Sequence, residues 1–441
     1  MRKDWLEIEL GSVLKTTSGG TPSRSKPNFY SGNIPWVKSG ELNENTILET
    51  EEYISEEAVK NSSAKVFPKG TLLIALYGAT IGKLAFLGIE AATNQAVCGI
   101  FENKAIQPRF LYYYLFHNRR KLIEQGTGGA QPNISQTILK KLPIKIAPLP
   151  EQRAIVARIE ELFSELDHSI ANLKAAKTKL EVYRQAVLKK AFEGGYASKL
   201  KEGNKSNLPN DWSWKSIKEI STILGDGLHG TPKYNEKGDY HFINGNNLND
   251  RKIEIKANTK RVDKIEFEKY KKPLNERTVF VSINGTLGNT AFYNNEKVIL
   301  GKSACYFNLI ESVSKEYILY VLKTNRFLNY ANTEATGSTI KNVSLKSMRS
   351  FLIPLPNSYN EQTQIVQEIE SRLSVADKLA ETIQTNLEKA EALRQSILKK
   401  AFEGKLLSEA EVEACRKEAD WEPTKRLVER IKSELNKPKK S

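Results

Sequence analysis

The stretch closest to a catalytic signature is Gly78-Ala79-Thr80-Ile81-Gly82-Lys83, which has the outline of a phosphate-binding loop. Such a loop needs four residues between its glycines, so that backbone N–H groups can cradle phosphate, and a Ser or Thr after its lysine to hold magnesium. Here only three residues separate the glycines, and Leu84 follows the lysine. The related stretch Gly285-Thr286-Leu287-Gly288-Asn289 has no lysine at all. Both read as backbone turns. The four histidines, His117, His168, His229 and His241, are scattered without metal-ligand spacing. His168 falls on a long helix and reads as a packed or solvated residue. A Gly-x-Ser-x-Gly elbow, a paired-carboxylate motif and the Asn/Asp-Pro-Pro-aromatic motif of adenine methyltransferases are all missing. The chain reads as a non-catalyst.

The residue types do suit the reading of base edges. Asn and Gln pair bidentately with adenine and Lys and Arg with guanine, while glycine loops let backbone approach a groove. In the first half of the chain the candidates are Arg24, Lys38, Ser39, Tyr77, Lys83, Gln95, Gln131 and Asn133. In the second half they are Lys233, Asn244, Asn246, Asn284, Lys302, Ser338, Lys341 and Asn342. Any one of these could be an ordinary turn residue. Their grouping on recurring loops is what singles them out.

Those loops recur because the chain is a tandem duplication. Glu151-Gln152-x-x-Ile155-Val156-x-x-Ile159-Glu160 returns as Glu361-Gln362-x-x-Ile365-Val366-x-x-Ile369-Glu370. Leu188-Lys189-Lys190-Ala191-Phe192-Glu193-Gly194 returns as Leu398-Lys399-Lys400-Ala401-Phe402-Glu403-Gly404 at the same offset. One inserted residue would rotate the downstream face of a helix by roughly 100°, so the constant offset predicts two equal long helices, over 151–194 and 361–404. Ahead of each stands a globular unit, residues 1–150 and 211–356, with its elements in the same order. Gly19-Gly20-Thr21-Pro22 corresponds to Gly230-Thr231-Pro232, and the buried strand Thr71–Leu76 to Thr278–Ile283. On the helix predicted from Pro108 to Gln125, Phe110–Arg119 corresponds to Tyr317–Arg326, and Thr127–Ser135 corresponds to Thr336–Ser344. Pro148-Leu149-Pro150 and Pro354-Leu355-Pro356 deliver the chain into the helices, with Asn357-Ser358-Tyr359 as an extra stretch before the second. Residues 195–210 read as a polar linker and 405–441 as a charged tail with short helices near Glu409–Glu418 and Thr424–Leu435.

Each long helix carries an apolar heptad seam, the signature of a coiled coil. In the first it runs Ile159, Leu166, Leu173, Leu180, Val187, with Ile155, Leu162, Ser169, Ala176 and Tyr183 beside it. In the second it runs Ile369, Ala376, Ile383, Ala390, Ile397, with Leu373, Leu379, Leu387 and Leu393 nearby. Leucines facing alanines suit a mutual, antiparallel pair. The fold class is therefore α+β: two similar α+β domains joined by two long helices packed as an antiparallel coiled coil.

A formal charge of +15 and 67 Lys+Arg against 52 Asp+Glu point to a polyanionic partner, nucleic acid before a membrane surface. Three cysteines fit no disulfide framework or zinc spacing, so a reducing, cytoplasmic compartment is expected. No apolar run approaches the roughly 20 residues of a membrane span.

Taken together, these motifs resemble the specificity subunit of Type I restriction–modification systems. The resemblance rests on the paired Pro-Leu-Pro and Glu-Gln-x-x-Ile-Val openings, the Leu-Lys-Lys-Ala-Phe-Glu-Gly closings, the Thr-Gly-x-x-x-x-Asn-[Ile/Val]-Ser loops and Ala419-Asp420-Trp421-Glu422-Pro423. It implies two target-recognition domains, each reading one half of a split asymmetric sequence in double-stranded DNA. It implies long helices that set the gap and dock two methyltransferase (modification) subunits. It also implies restriction/translocase subunits that cut. S-adenosylmethionine, ATP and Mg would sit in those partners, with no cofactor in this chain. The competing reading is a coiled-coil scaffold whose basic domains bind proteins rather than DNA.

Overall fold

The structure is a computed structural model and describes residues 2, 4–126, 133–192, 208–209, 211–337 and 340–435. It divides into two compact units: Met1–Asn172 with Asn386–Ser441, and Leu173–Thr385. Each unit thus contains one globular domain, the start of the long helix that follows that domain, and the end of the other long helix.

In the first unit a five-stranded sheet runs Thr16–Ser18, Val97–Ile100, Leu72–Ala75, Leu84–Leu87, Asn45–Ile47. A four-stranded sheet runs Tyr53–Ile54, Ile34–Val37, Ala91–Thr93, Val66–Phe67. The second unit repeats the plan with Ser221–Asp226, Ala304–Leu309, Thr278–Ser282, Thr290–Phe292 in one sheet and Arg261–Val262, Tyr240–Ile243, Val298–Leu300 in another. Both units keep one parallel pair at the same place, Trp36 against Ala92 and Phe242 against Ile299. The central strands are buried on both faces, which explains their unbroken apolar character. Cys98 pairs in register with Ile74, and Cys305 with Val281. Two of the three cysteines are therefore repeat equivalents in the cores, and burial pushes the Cys98 thiol up to about 12.

The long helices run Leu149–Phe192 and Tyr359–Phe402, 44 residues each. At about 1.5 Å per residue each is a rod of roughly 65 Å. Within the first unit, Ile155, Val156, Ile159 and Phe163 from the start of one rod share a core with Ile397, Leu398, Ala401 and Phe402 from the end of the other. Within the second, Leu188, Ala191 and Phe192 share a core with Ile365, Val366 and Ile369. Within each unit the two helix segments therefore pack antiparallel. In the second unit Lys177 reaches Gln384 at 3.5 Å and Arg184 reaches Asp377 at 2.6 Å. Seven residues forward on one rod correspond to seven back on the other, as a fixed antiparallel register requires.

The second-helix seam Ile369, Ala376, Ile383, Ala390, Ile397 is buried throughout. Its companion line is Leu373, Ala380, Leu387 and Arg394, all partly buried. Leu379 and Leu393, expected beside the seam, are instead 49% and 50% exposed. A step of six residues, rather than seven, turns them about 100° off the line. Ser169 and Tyr183 on the first helix are likewise exposed.

The repeated Glu-Gln at the start of each rod is a pair of pins. Trp5 Nε1 donates to Glu151 Oε2 at 3.0 Å, and Trp212 Nε1 to Glu361 Oε1 at 2.9 Å. Gln152 Nε2 donates to Ala105 O and Ala147 O while its Oε1 accepts from Gln107 N. Gln362 repeats this with Ser312 O, Pro356 O and Ser314 N. Both glutamines are buried, so each satisfies three backbone groups that water cannot reach. The aromatic at the end of the opposite rod completes the joint: Phe402 packs edge-on against Phe110, and Phe192 against Tyr317, at 5.3 and 5.2 Å. Glu160 and Glu370 are each taken by an arginine, but by Arg109 in one unit and Arg251 in the other.

Three expectations are corrected. The two Pro-Leu-Pro segments are not equivalent, since Leu149 and Pro150 lie in the first turn of a helix while Pro354–Pro356 lie in the strand Leu352–Pro356. Gln152 N donates to Pro148 O and Gln362 N to Ser358 O, so both rods begin alike and Asn357-Ser358-Tyr359 is no added stretch. The helix Pro108–Glu124 is unbroken, but its counterpart splits into Lys315–Leu322 and Asn325–Glu334. Thr324 caps the new N-terminus by accepting from Phe327 N, and Gln185 bonds across the break to Lys323 O and Asn325 N. From the charged tail, Leu407, Val412, Leu427, Val428 and Ile431 enter the core of the first unit. Arg153 ties the tail down through Glu418 and Asp420 at 2.5 and 2.8 Å.

Candidate nucleic-acid interface

Backbone hydrogen bonds gather most of the candidate loops at one end of the sheets, and do so in both units. In the first, Asn94 N donates to Val37 O, Leu76 N to Ala96 O, Gly19 N to Val97 O and Ile134 N to Leu76 O. Ser39, Tyr77, Gln95, Asn133 and the Gly19–Thr21 turn therefore share an edge. In the second, Gly301 N donates to Ile243 O, Ile283 N to Ser303 O, Leu228 N to Leu300 O and Val343 N to Ile283 O. That edge holds Asn244, Asn246, Asn284, Lys302, Lys341 and Asn342. In each unit the turn after the buried strand meets the end of the glycine loop through an isolated bridge, Tyr77 to Asn133 and Asn284 to Asn342.

The frame is common and the side chains differ. In the first unit Tyr77 and Asn133 are exposed, and Gln95 Oε1 accepts from Thr21 Oγ1. Lys83 Nζ donates to Asn43 Oδ1 at 2.7 Å. Arg24 and Lys38 are brought together by Glu52, at 2.7 and 3.0 Å, with Glu51 also on Lys38. The Arg24 guanidinium lies over Tyr30 at 4.1 Å and near Trp36 at 5.4 Å. The hydrogen bonds that the Lys38 ammonium donates to Glu51 and Glu52 hold it above its usual range. Burial alone would raise the Glu52 carboxyl, but its bonds to Lys38 and Arg24 outweigh that and hold it low. These two cations are matched within the domain and order its loops.

In the second unit the edge is rich in amides. Asn244 Oδ1 accepts from Ser303 Oγ at 3.1 Å, which fixes the start of the turn Gly245–Asn247. Asn246 is exposed and lines a cleft of about 370 Å³ with Asn249, Lys256, Asn289 and Lys323. Asn284 Nδ2 donates to Asn342 Oδ1 at 3.1 Å. Lys341 Nζ is held by Asn332 Oδ1 at 2.6 Å, and Lys302 is exposed. Lys233 stands apart from this edge, its backbone N–H bound to Glu266 Oε2 on the helix Lys264–Tyr270. Gln131 and Ser338 lie outside the described residues.

Sequence reasoning passed over Asn43, Asn94, Asn289, Ser303 and the Asp226–His229 pair, whose Oδ2 and Nε2 are 2.6 Å apart. Asn94 adjoins Gln95 and Asn289 closes the Gly285–Asn289 stretch, so both were within reach of it. Ser303 meets Asn244 across 59 residues, and no local signal shows that.

Gly78–Thr80 forms a single tight turn followed by the strand Leu84–Leu87, with Gly78 at φ +66°. A phosphate loop opens a long helix instead, so the geometry does not support nucleotide binding there. Among the described residues no group of three His, Cys, Asp or Glu could hold a metal ion, and no helix is long and apolar enough to cross a membrane. Exposed amides, hydroxyls and a few cations on a rigid edge can do one thing well: present donors and acceptors in a fixed pattern.

The family model for the Type I restriction modification DNA specificity domain matches twice, over residues 2–176 and 209–389. The Type I restriction enzyme EcoBI specificity subunit of Escherichia coli is 23% identical over 98% of this chain and 92% of its own length. The StySPI specificity subunit of Salmonella potsdam is 24% identical over 98% and 95%. A chain solved in a study of complex assembly and conformational transition of the type I R-M system superposes with a TM-score of 0.72 at 20% identity, covering 92% of this chain and 99% of its own. The HsdS subunit from Thermoanaerobacter tengcongensis gives 0.54 at 19%, covering 92% and 98%. With the model matched over both halves, the chain belongs to the Type I restriction modification DNA specificity domain family.

Proposed function

We propose that the chain is the sequence-specific DNA-binding subunit of a Type I restriction–modification complex, with each unit reading one half of a split, asymmetric target. The observation that carries this is the repeated reading edge: one backbone frame, built twice, bearing unlike side chains. Two equal frames bind two half-sites alike, and unlike side chains make those half-sites different. The net charge of +15 supplies the non-specific attraction to phosphate.

The chain itself addresses and does not catalyse. Two methyltransferase subunits carrying S-adenosylmethionine would modify an adenine extruded from the duplex, and restriction/translocase subunits would use ATP and Mg, all in the cytoplasm. Apolar side chains left exposed on the long helices, Val182, Val375, Leu379 and Leu393, support protein partners there.

The test is to exchange residues 1–145 for another recognition domain and sequence the host's methylated sites. One half of the target changes and the other stays. Unchanged sites, or a change in both halves, would overturn the reading. So would equal affinity of the reconstituted complex for every duplex, which would favour the scaffold alternative.

A further inference from the structure

Asn284 and Asn342 are held by backbone on every side. Gly285 N donates to Lys341 O at 2.9 Å and Val343 N to Ile283 O at 2.8 Å. Thr336 and Asn342 exchange N–H···O bonds in both directions at 2.9 Å. Gly285, at φ +74° with open space where a Cβ would stand, lets the chain turn just past Asn284. The amides are then joined, Asn284 Nδ2 donating to Asn342 Oδ1 at 3.1 Å. That bond leaves a defined remainder: Asn284 Oδ1 as an acceptor, and both N–H groups of Asn342 Nδ2 as donors.

We infer that Asn284 and Asn342 act as one adenine-reading element for the half-site addressed by the second unit, a step that rests on the function proposed above. Adenine shows the major groove an acceptor at N7 beside a donor at N6, and guanine shows two acceptors. A free donor on Asn342 and a free acceptor on Asn284 complement adenine; guanine O6 would face the Asn284 oxygen and be repelled. Lys341, the neighbouring side chain able to read guanine, is drawn aside by Asn332. The first unit has Tyr77 and Asn133 at the matching bridge, so no amide pair forms there. The adenine requirement at this contact belongs to one half-site alone. Because the contact needs a stacked base in the groove, this adenine is distinct from one extruded for methylation.

Asn342→Asp is the decisive variant. It keeps an oxygen to accept from Asn284 Nδ2 and so preserves the loop, but replaces the free donors by an acceptor. In hosts expressing the full chain with its partner subunits, sequencing of methylated sites on the wild type should show an unmethylated adenine fixed in the second half-site. Asn342→Asp and Asn284→Ala should each weaken discrimination at that single position by about tenfold or more, with the first half-site unchanged. The double variant should lose no more than either single one, as members of one element do. A wild-type half-site with no such adenine, or an Asn342→Asp variant that keeps its preference, would overturn the inference while leaving the proposed function standing. Wild-type methylation without any sequence preference would sink both.

Discussion

The indole N–H of Trp5 donates to the buried carboxyl of Glu151 at 3.0 Å, joining the residue just ahead of the strand Leu6–Glu9 to the first turn of the long helix. Burial raises the Glu151 carboxyl above its ordinary range, although the Trp5 bond and Arg2 pull the other way. A raised folded-state value means that the native state holds the proton more tightly than the unfolded chain. The stability gained is fully present below the ordinary carboxylate value of about 4.3 and is lost as pH rises through the raised value. Glu151→Gln keeps an oxygen for Trp5 but does not titrate. Its urea midpoint relative to wild type should therefore rise between about pH 4 and pH 7; a constant difference would contradict the assignment.

Gln362 satisfies Ser312 O, Pro356 O and Ser314 N from a buried position. Gln362→Ala strands all three groups and should cost about 3 kcal/mol or more in the second unit. Denaturation followed by tryptophan fluorescence checks this, since Trp212 is anchored next door on Glu361.

The C-terminal helices are part of the first unit's core, with Leu427 at 1% exposure. Leu427→Ala should destabilise that unit by about 2–5 kcal/mol. A loss below about 1 kcal/mol, the usual range for surface positions, would mean that the helix Thr424–Leu435 does not dock.

Lys302 is exposed on the loop edge that the proposed function assigns to DNA in the second unit. If it meets a phosphate, Lys302→Ala weakens binding of the reconstituted complex equally on all sequences. The slope of log K against log salt then becomes shallower by about 0.9. A loss confined to one base pair would instead make Lys302 a base reader.

The duplication, the two long helices, the α+β domains and the recurrence of the candidate loops in both halves were all legible in the sequence. Each follows from a local periodicity or from a motif repeated at a constant offset. The role of the Glu-Gln motif was not, because Trp5 and Glu151 lie 146 residues apart and meet only through the fold. The same holds for the break before Asn325, which Gln185 bridges from 140 residues away, and for the burial of the tail among residues of the first domain. Pro-Leu-Pro misled because identical letters fell on a helix in one copy and a strand in the other. The sequence by itself determined which elements form and that they form twice, since helix period, strand character and repeat offset are properties of neighbours along the chain. Only the tertiary structure decided which candidates are occupied, as Arg24 and Lys38 are by Glu52. It also decided which amides combine, as Asn284 and Asn342 do. A hydrogen bond closes over about 3 Å, and no spacing in the sequence specifies a distance between residues that far apart along it.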